Sequence, residues 1–399
     1  MKSTLHDLRI DPITSLEHLE EFRHEWRVLQ QSAKHGVVHA DMDWYRMMVE
    51  SSEEPRSPLV LTFRRGSKLV GLIAGYRHRR AFHLKLGYLR LCQISLPGLS
   101  ISYQCMIAEP DEVLLPIMAE TLLKQFSDLN LHFIYTNALA VDSPFSRILN
   151  RSESCDGYRL TYPSEPHMMI RLATTIEETI ARRGRQVRSS LNRVLKKGDH
   201  RRGGSAGEVR IFKHPEEIET YFKHAEAVAR KTYQRALGVG FKDSRSHRKQ
   251  VELAARKGWF HGHVIYKDGN PIAFQEDYVY GAHCFNPYMG YDPEHRDINP
   301  GTLLMLRSWE MLIKHTQAEV YDFGLGDGVY KERYADICIA ESEILFFRRE
   351  IRYGLLHAVL AMNVWTDRAI RRWLDRLGIR DRIKAFWRRR KAASLKPHD

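Results

Sequence analysis

Arg296-Asp297-Ile298-Asn299-Pro300-Gly301-Thr302-Leu303-Leu304-Met305-Leu306 is the stretch on which the reading of this chain turns. A polar loop runs into Pro300, whose fixed φ and missing N–H suit the first turn of a helix. Gly301 beside it puts no side chain in the helix mouth, and an apolar run follows. Free amides and the helix dipole make such an end a site for an anion, and Arg296 can add a charge-assisted bond to a pyrophosphate. The same residues also suit an ordinary helix entry after a loop, so both readings stay open.

Downstream lies Tyr321-Asp322-Phe323-Gly324-Leu325-Gly326-Asp327-Gly328-Val329-Tyr330-Lys331. It reads as a strand ending in a carboxylate, then a glycine-rich loop presenting Tyr330 and Lys331, or more simply as a tight strand–helix turn. It is no P-loop, because GxxxxGK[ST] is absent. Upstream, His261–Tyr266 and Pro271–Tyr280 read as a hairpin turned by Lys267-Asp268-Gly269-Asn270. Alternation along the second arm puts Glu276 with Phe274 and Tyr278, and Asp277 with Gln275 and Val279. A carboxylate there either faces water at a sheet edge or, partly buried with its pKa raised, serves as a general base. His261 and His263 share one strand face, but no third ligand is near, so no metal is expected. GxSxG is absent and no cysteine has an activating neighbour.

The chain has 399 residues, which suits two domains. Hydrophobic residues make up 43% and charged residues 28%, values that exclude wholesale disorder. The five cysteines are widely spread without a CxxC, so neither a disulfide scaffold nor a structural zinc cluster is expected, and a reducing compartment fits. No apolar segment follows Met1 and no run of 18 apolar residues occurs, so neither a secretory signal nor a spanning helix is expected. The net charge of +13 is concentrated in two patches: residues 182–202 and 367–391 each carry +8, leaving the remainder near neutral. Such patches suit an anionic partner or are solvated helix faces.

Two prolines in Tyr162-Pro163-Ser164-Glu165-Pro166 mark a boundary. Before it, helices are expected over 15–31, 43–49 and 112–127, a hairpin over 59–74 and a strand over 133–135. After it come a strand at 168–172, a helix at 177–197, a loop at 198–207 and a strand at 209–212. A long helix at 215–236, the hairpin, a strand at 282–291, a helix at 301–315 and strands at 320–323 and 344–347 complete the series. Lys68-Leu69-Val70-Gly71-Leu72 matches Asn270-Pro271-Ile272-Ala273-Phe274 in place and hydropathy, which suggests an internal duplication.

Arg182 to Lys197, Pro271-Ile272-Ala273, Asn299-Pro300-Gly301-Thr302-Leu303-Leu304 and Tyr321 to Gly326 ending in Tyr330-Lys331, in this order, resemble the GNAT-superfamily acyltransferases of the CelD-like, cellulose- or exopolysaccharide-biosynthesis type. That group is related to the Fem-type aminoacyl transferases and more distantly to mycothiol synthase. The resemblance spans about 168–348. It implies an α/β fold of tandem GNAT-like modules, each a mixed, mainly antiparallel sheet flanked by helices, with a basic helical C-terminal tail. The expected division is 1–165, 166–350 and 351–399. It implies acetyl-CoA or another acyl-CoA as co-substrate, its pyrophosphate held by Arg296, Asn299, Pro300, Gly301 and Thr302, although the usual Q/RxxGxG/A signature is here reduced to Arg-x-x-Asn-Pro-Gly. No metal is implied.

The expected reaction is N-acyl transfer to an amine or sugar-amine acceptor, in cell-envelope or exopolysaccharide biosynthesis. An amine with a pKa of about 10.4 must lose a proton before it attacks. Glu276, or Asp322 through a water, is the expected base, Tyr330 or Tyr288 the acid for the leaving thiolate, and Lys331 an orienting cation or a partner of Asp322. A Fem-type, aminoacyl-tRNA-dependent transferase with nucleic acid on the 182–202 patch is one alternative; a non-catalytic GNAT-fold binder is another. A cytoplasmic location follows. In the tail, apolar residues from Leu355 to Trp387 interleave with arginines, either as a helix on the inner membrane face or as a packed helix with a basic outer side.

Overall fold

The computed structural model describes residues 8–86, 89–151, 157–197, 207–236 and 240–376. The strands are β1 (Leu8–Ile13), β2 (Ser57–Arg65), β3 (Lys68–Leu86), β4 (Leu89–Ala108), β5 (Phe133–Ala140), β6 (Gly157–Thr161), β7 (Glu165–Arg171), β8 (Glu208–Phe212), β9 (Phe260–Lys267), β10 (Asn270–Tyr280), β11 (His283–Tyr291), β12 (Val320–Leu325) and β13 (Ile337–Arg348). The helices are α1 (Leu16–Glu21), α2 (Arg23–Ser32), α3 (Met42–Glu50), α4 (Leu114–Asp128), α5 (Pro144–Arg151), α6 (Ile176–Ala181), α7 (Arg185–Lys197), α8 (Ile218–Ala229), α9 (Tyr233–Ala236), α10 (Arg245–Arg256), α11 (Pro300–His315), α12 (Val329–Tyr334) and α13 (Ile351–Arg376). Two compact units divide the described residues: 8–166 with 339–376, and 167–338.

In the first unit the sheet order is β1-β2-β3-β4-β5-β13, with β6 on the other side of β13. Every pair is antiparallel except β4 with β5, which are joined through α4 as a parallel crossover needs. Leu59, Phe63, Leu99 and Ile134 form one core with Met118 and Leu122 of α4, to which Ile344 and Phe346 of β13 add. Trp26, Leu29 and Tyr45 of the N-terminal helices pack with Val60, Leu72 and Ile107 in another. Each fully buried aliphatic or aromatic side chain contributes about 2 kcal/mol. The strand expected over 344–347 as the last of the C-terminal series thus runs in the first unit, paired with β5 and β6.

The second unit repeats this plan in the order β7-β12-β11-β10-β9-β8, with β11 and β12 as its parallel pair. The β9–β10 hairpin turns through Asp268 (φ 52°) and Gly269 (φ 77°). The helix expected over 215–236 is broken: a 3-10 turn precedes α8, and Thr232 separates α8 from α9. Its Oγ1 donates to the Ala229 carbonyl at 2.7 Å and accepts from the Arg235 amide at 3.4 Å, so the side chain competes with the helix ladder. The helix expected over 177–197 divides at Arg182–Gly184, where the buried Arg183 donates to the Tyr334 carbonyl (2.9 Å) and to Asp336 (2.6 Å). The loop expected over 198–207 lies, apart from Gly207, outside the described residues, as do the tail positions beyond Arg376.

Candidate functional site

Where β11 and β12 meet, the ladder holds for three pairs only: His283 with Val320, Cys284 with Tyr321 and Phe285 with Asp322. Beyond them β11 continues to Tyr291 and β12 to Leu325 without pairing to each other, so the sheet opens into a wedge. At the same level β11 bulges. Glu276 faces Tyr288 and Tyr278 faces Phe285, so Asn286 and Pro287 together oppose Asp277. The Asn286 amide fills the gap, donating to the Glu276 carbonyl (2.8 Å) and to Asp277 Oδ1 (2.9 Å). A wedge between parallel strands beside a bulge leaves backbone groups free for a ligand.

The alternation read from the sequence is what the structure shows, with both carboxylates buried and neither at an edge. Glu276 faces α8 and α10: it accepts from Tyr278 Oη (2.7 Å), from His247 Nε2 at 2.9 and 3.1 Å, and from Tyr221 Oη (3.4 Å). Burial alone lowers the His247 pKa, but the charge and hydrogen bond of Glu276 and the Lys242 carbonyl at Nδ1 (3.0 Å) outweigh it, and the net shift is upward. With acceptors at both ring nitrogens, His247 is suited to the doubly protonated form. The ring of Tyr288 lies 5.0 Å from that of His247, and burial raises its phenol, with the Glu276 charge adding.

Asp277 faces α11. It accepts from Ser308 (2.6 Å), Gln275 (2.7 Å), Asn286 and Tyr321 (3.3 Å), with His263 Nε2 at 3.4 Å. Burial pushes its pKa up, and the bonds from His263, Ser308 and Gln275 more than reverse this. His261, directly opposite Asp277 on β9, is held neutral by burial, its pKa lowered to about 4. Among the described residues no group of three or more His, Cys, Asp or Glu side chains is arranged to hold a metal.

Asp322, the last residue before the wedge, accepts from His167 Nε2 (2.7 Å) and the Gly324 amide (2.6 Å), with His283 Nε2 at 3.3 Å. Burial opposes its ionisation, but the two histidines hold the carboxyl far below the usual range, which makes it a charge anchor and a weak proton acceptor. Lys331 does not pair with it; Nζ donates to the carbonyls of Gly324 (3.1 Å) and Leu325 (2.8 Å) and so clamps the loop after β12. Tyr330 packs edge-on against Phe323, among the core of the α11 face. Tyr288 and Tyr330 therefore belong to opposite faces of the sheet, and Tyr288 shares the face of Glu276.

At the start of α11, Asn299 is left-handed (φ 50°, ψ 53°) and no side chain caps the helix. Pro300 is the first helical residue and the Leu303 amide takes the first intrahelical bond, which leaves the amides of Gly301 and Thr302 as the free donors. The preceding 3-10 turn is pinned by the buried Asp292, which accepts from the Glu294 amide (3.1 Å) and from Lys231 Nζ (2.6 Å). Arg296 and Asn299 are exposed, Thr302 is half-buried, and Gly301 is buried beneath Tyr291, whose Cδ1 would lie 3.2 Å from a Cβ added there. The free amides of Gly301 and Thr302 are donors of the kind an anion takes, with Pro300 and Gly301 themselves buried.

The first unit has the same parallel pair, held at Gly98–Ile101 and Phe133–Thr136, but not the same surroundings. Tyr103 of β4, past the last pair, donates to the buried Glu341 at 3.2 Å. Asp111 Oδ1 accepts from the amides of Val113 (2.8 Å) and Leu114 (3.3 Å), so a carboxylate already occupies the start of α4. Of the two helix starts, only that of α11 lacks a capping anion.

The sequence reading missed His247, because the segment carrying α10 was not read as an element. Ser244, an N-cap bonded to the His247 amide, followed by Val251, Ala254 and Ala255, was the available signal. His167 and His283 reach Asp322 across the fold, and no local pattern announces them.

Residues 185–332 match the family model described as an acetyltransferase (GNAT) domain. No curated protein matches the sequence. Among solved structures, FemX is similar at a TM-score of 0.61 and 11% identity, covering 87% of this chain and 100% of its own. A tandem GNAT protein from the clavulanic acid biosynthesis pathway is similar at a TM-score of 0.47 and 12% identity, covering 85% of this chain and 98% of its own. The chain thus shares a mixed α/β fold with FemX, and its second unit contains a segment, 185–332, matched as a GNAT acetyltransferase domain.

Proposed function

We propose that this chain is an acyl-CoA-dependent N-acyltransferase whose donor and acceptor meet in the wedge of the second unit. The observation that carries the reading is the opening of β11 from β12 directly before an uncapped helix start, within the matched GNAT segment. The amides of Gly301 and Thr302, with Arg296, would hold the diphosphate. Acyl-CoA brings an activated thioester. The bulge at Asn286–Pro287 interrupts the β10–β11 ladder, and a β11 backbone N–H other than that of the proline would hold its carbonyl oxygen, an interaction worth a few kcal/mol. Tyr288, half-buried with its ring 5.0 Å from that of His247, would pass a proton to the leaving thiolate. Glu276 has no exposed surface, so it acts through His247 and Tyr278 rather than by touching an acceptor. The acceptor class is an amine or sugar amine, and the resemblance to CelD-like enzymes favours exopolysaccharide or envelope precursors in the cytoplasm.

The test is ligand-dependent unfolding followed by product detection. Desulfo-CoA at about 100 times its Kd stabilises the second unit by about 2.7 kcal/mol. Arg296→Glu, at an exposed position, weakens that effect and leaves the unliganded unfolding temperature unchanged. Desulfo-CoA that fails to shift the unfolding of the unaltered protein removes the reading.

A second reading, a Fem-type aminoacyl-tRNA-dependent transferase, is favoured by one observation. Arg182, Arg185, Arg188, Arg193 and Lys196 are all exposed, and Arg193 and Lys196 with Ser189 and Asn192 line a shallow cleft of about 470 Å³ on α7. Under it, tRNA binds with an affinity that falls steeply with salt, and desulfo-CoA has no effect.

A further inference from the structure

We propose that the outward face of α13 docks on an acidic lipid surface. The helix has 26 residues and two apolar stripes. One comprises Tyr353, Leu356 and Leu360, buried against Leu160, Leu345 and Phe347, and it belongs to the fold of the first unit. The other comprises Ile351, Leu355, Met362, Trp365 and Trp373, which at about 100° per residue fall within an arc of about 80° on the opposite side. These side chains are exposed: Ile351 92%, Leu355 69%, Trp365 63% and Trp373 61%. A single exposed leucine needs no explanation, but a stripe of five large apolar residues over the length of one helix does.

The chemistry around the stripe names its occupant. Arg372 borders it on one side and Arg352 on the other, and Arg376 lies on its line at the C-terminal end, all exposed. Residues 351–376 carry five arginines against two aspartates, a net +3. The following residues 377–399 add a net +6 by sequence. Two copies packed through this face would bring like charges together, whereas an anionic surface neutralises them. Tryptophans beside arginines on an apolar face match a helix lying in a headgroup layer. Among the described residues no helix is long and apolar enough to cross a membrane, which fits a helix lying along the surface. The inference stands whether or not the chain transfers an acyl group.

The test uses the full chain and two kinds of vesicle, phosphatidylcholine alone and phosphatidylcholine mixed with phosphatidylglycerol. Co-sedimentation with the mixed vesicles is expected, at least about tenfold stronger than with phosphatidylcholine alone. Replacing Leu355, Trp365 and Trp373 together by Glu should weaken it at least about tenfold, with the circular dichroism and unfolding temperature of the native protein retained. Four results overturn the proposal: no binding of the unaltered chain to the mixed vesicles, equal binding to both kinds, or equal binding of the variant, which would assign the effect to the arginines alone. The fourth is a dimer that dissociates in the variant while the unaltered chain ignores vesicles, which would assign the stripe to a second copy.

Discussion

Replacing Glu276 by Gln should cost the second unit about 3 kcal/mol near pH 6 and clearly less once the pH has risen through the folded pKa of His247. Three donors converge on its two oxygens, Tyr278 at 2.7 Å, His247 at 2.9 Å and Tyr221 at 3.4 Å, and the carboxyl has no contact with water. An amide keeps one acceptor and turns the other position into a donor, so at least one buried donor loses its partner, at about 1–3 kcal/mol. The rest of the cost depends on proton binding. The His247 pKa lies above its unfolded value of about 6.5, so the ion pair adds stability that is complete below that value and is lost as pH rises through the folded one. In the variant the histidine is buried without its counter-charge, and near pH 6 folding must expel its proton. Once the pH has risen past the folded value both states are neutral there and that part of the difference vanishes. At about 2–4 °C per kcal/mol for a unit of this size, calorimetry should show a deficit of about 6–12 °C near pH 6 that narrows with rising pH. A deficit that is constant across this range, or smaller than about 2 °C throughout, would refute the assignment of His247 as the cation paired with Glu276.

Three further outcomes can be checked separately. Ser308→Ala removes the 2.6 Å bond to the fully buried Asp277 and should lower stability by about 1–3 kcal/mol in urea unfolding, whereas Ser308→Thr, which keeps a hydroxyl, should recover part of it. Asp111→Ala uncaps α4 and removes the 2.8 Å pair with Arg65, for a loss of about 1 kcal/mol in the first unit and no change in desulfo-CoA binding. Gly98→Ala drives a Cβ into the Phe133 ring, so the first unit should be destabilised by about 1–3 kcal/mol, measured by the same unfolding curve.

How much of this was legible in the sequence follows from how local each signal is. The β9–β10 hairpin, its Asp268-Gly269 turn and the opposite facing of Glu276 and Asp277 follow from a period of two and a turn needing positive φ, and all are present. The start of α11 follows from Pro300, which leaves an orphan donor unneeded. The depth of Glu276 was not legible, because burial is decided by α8 and α10, which lie far from it in sequence. Nor was the weakness of Asp322 as a base, which arises from His167, 155 positions away. The break at Thr232 escaped because helical periodicity runs through it, while a hydroxyl competing for carbonyls leaves no periodic trace.

The return of the chain to its first unit has a consequence for synthesis. Leu345, Phe347, Tyr353 and Leu356 complete a core that also holds Phe82, Phe133 and Leu160. A ribosome that has made only residues 1–166 has therefore produced a sheet whose β5 edge lacks β13 and whose apolar surface lacks α13. The nascent N-terminal half must wait, unfinished, until some two hundred more residues have emerged. The second unit, contiguous from 167 to 338, is delivered in one piece before the first can close.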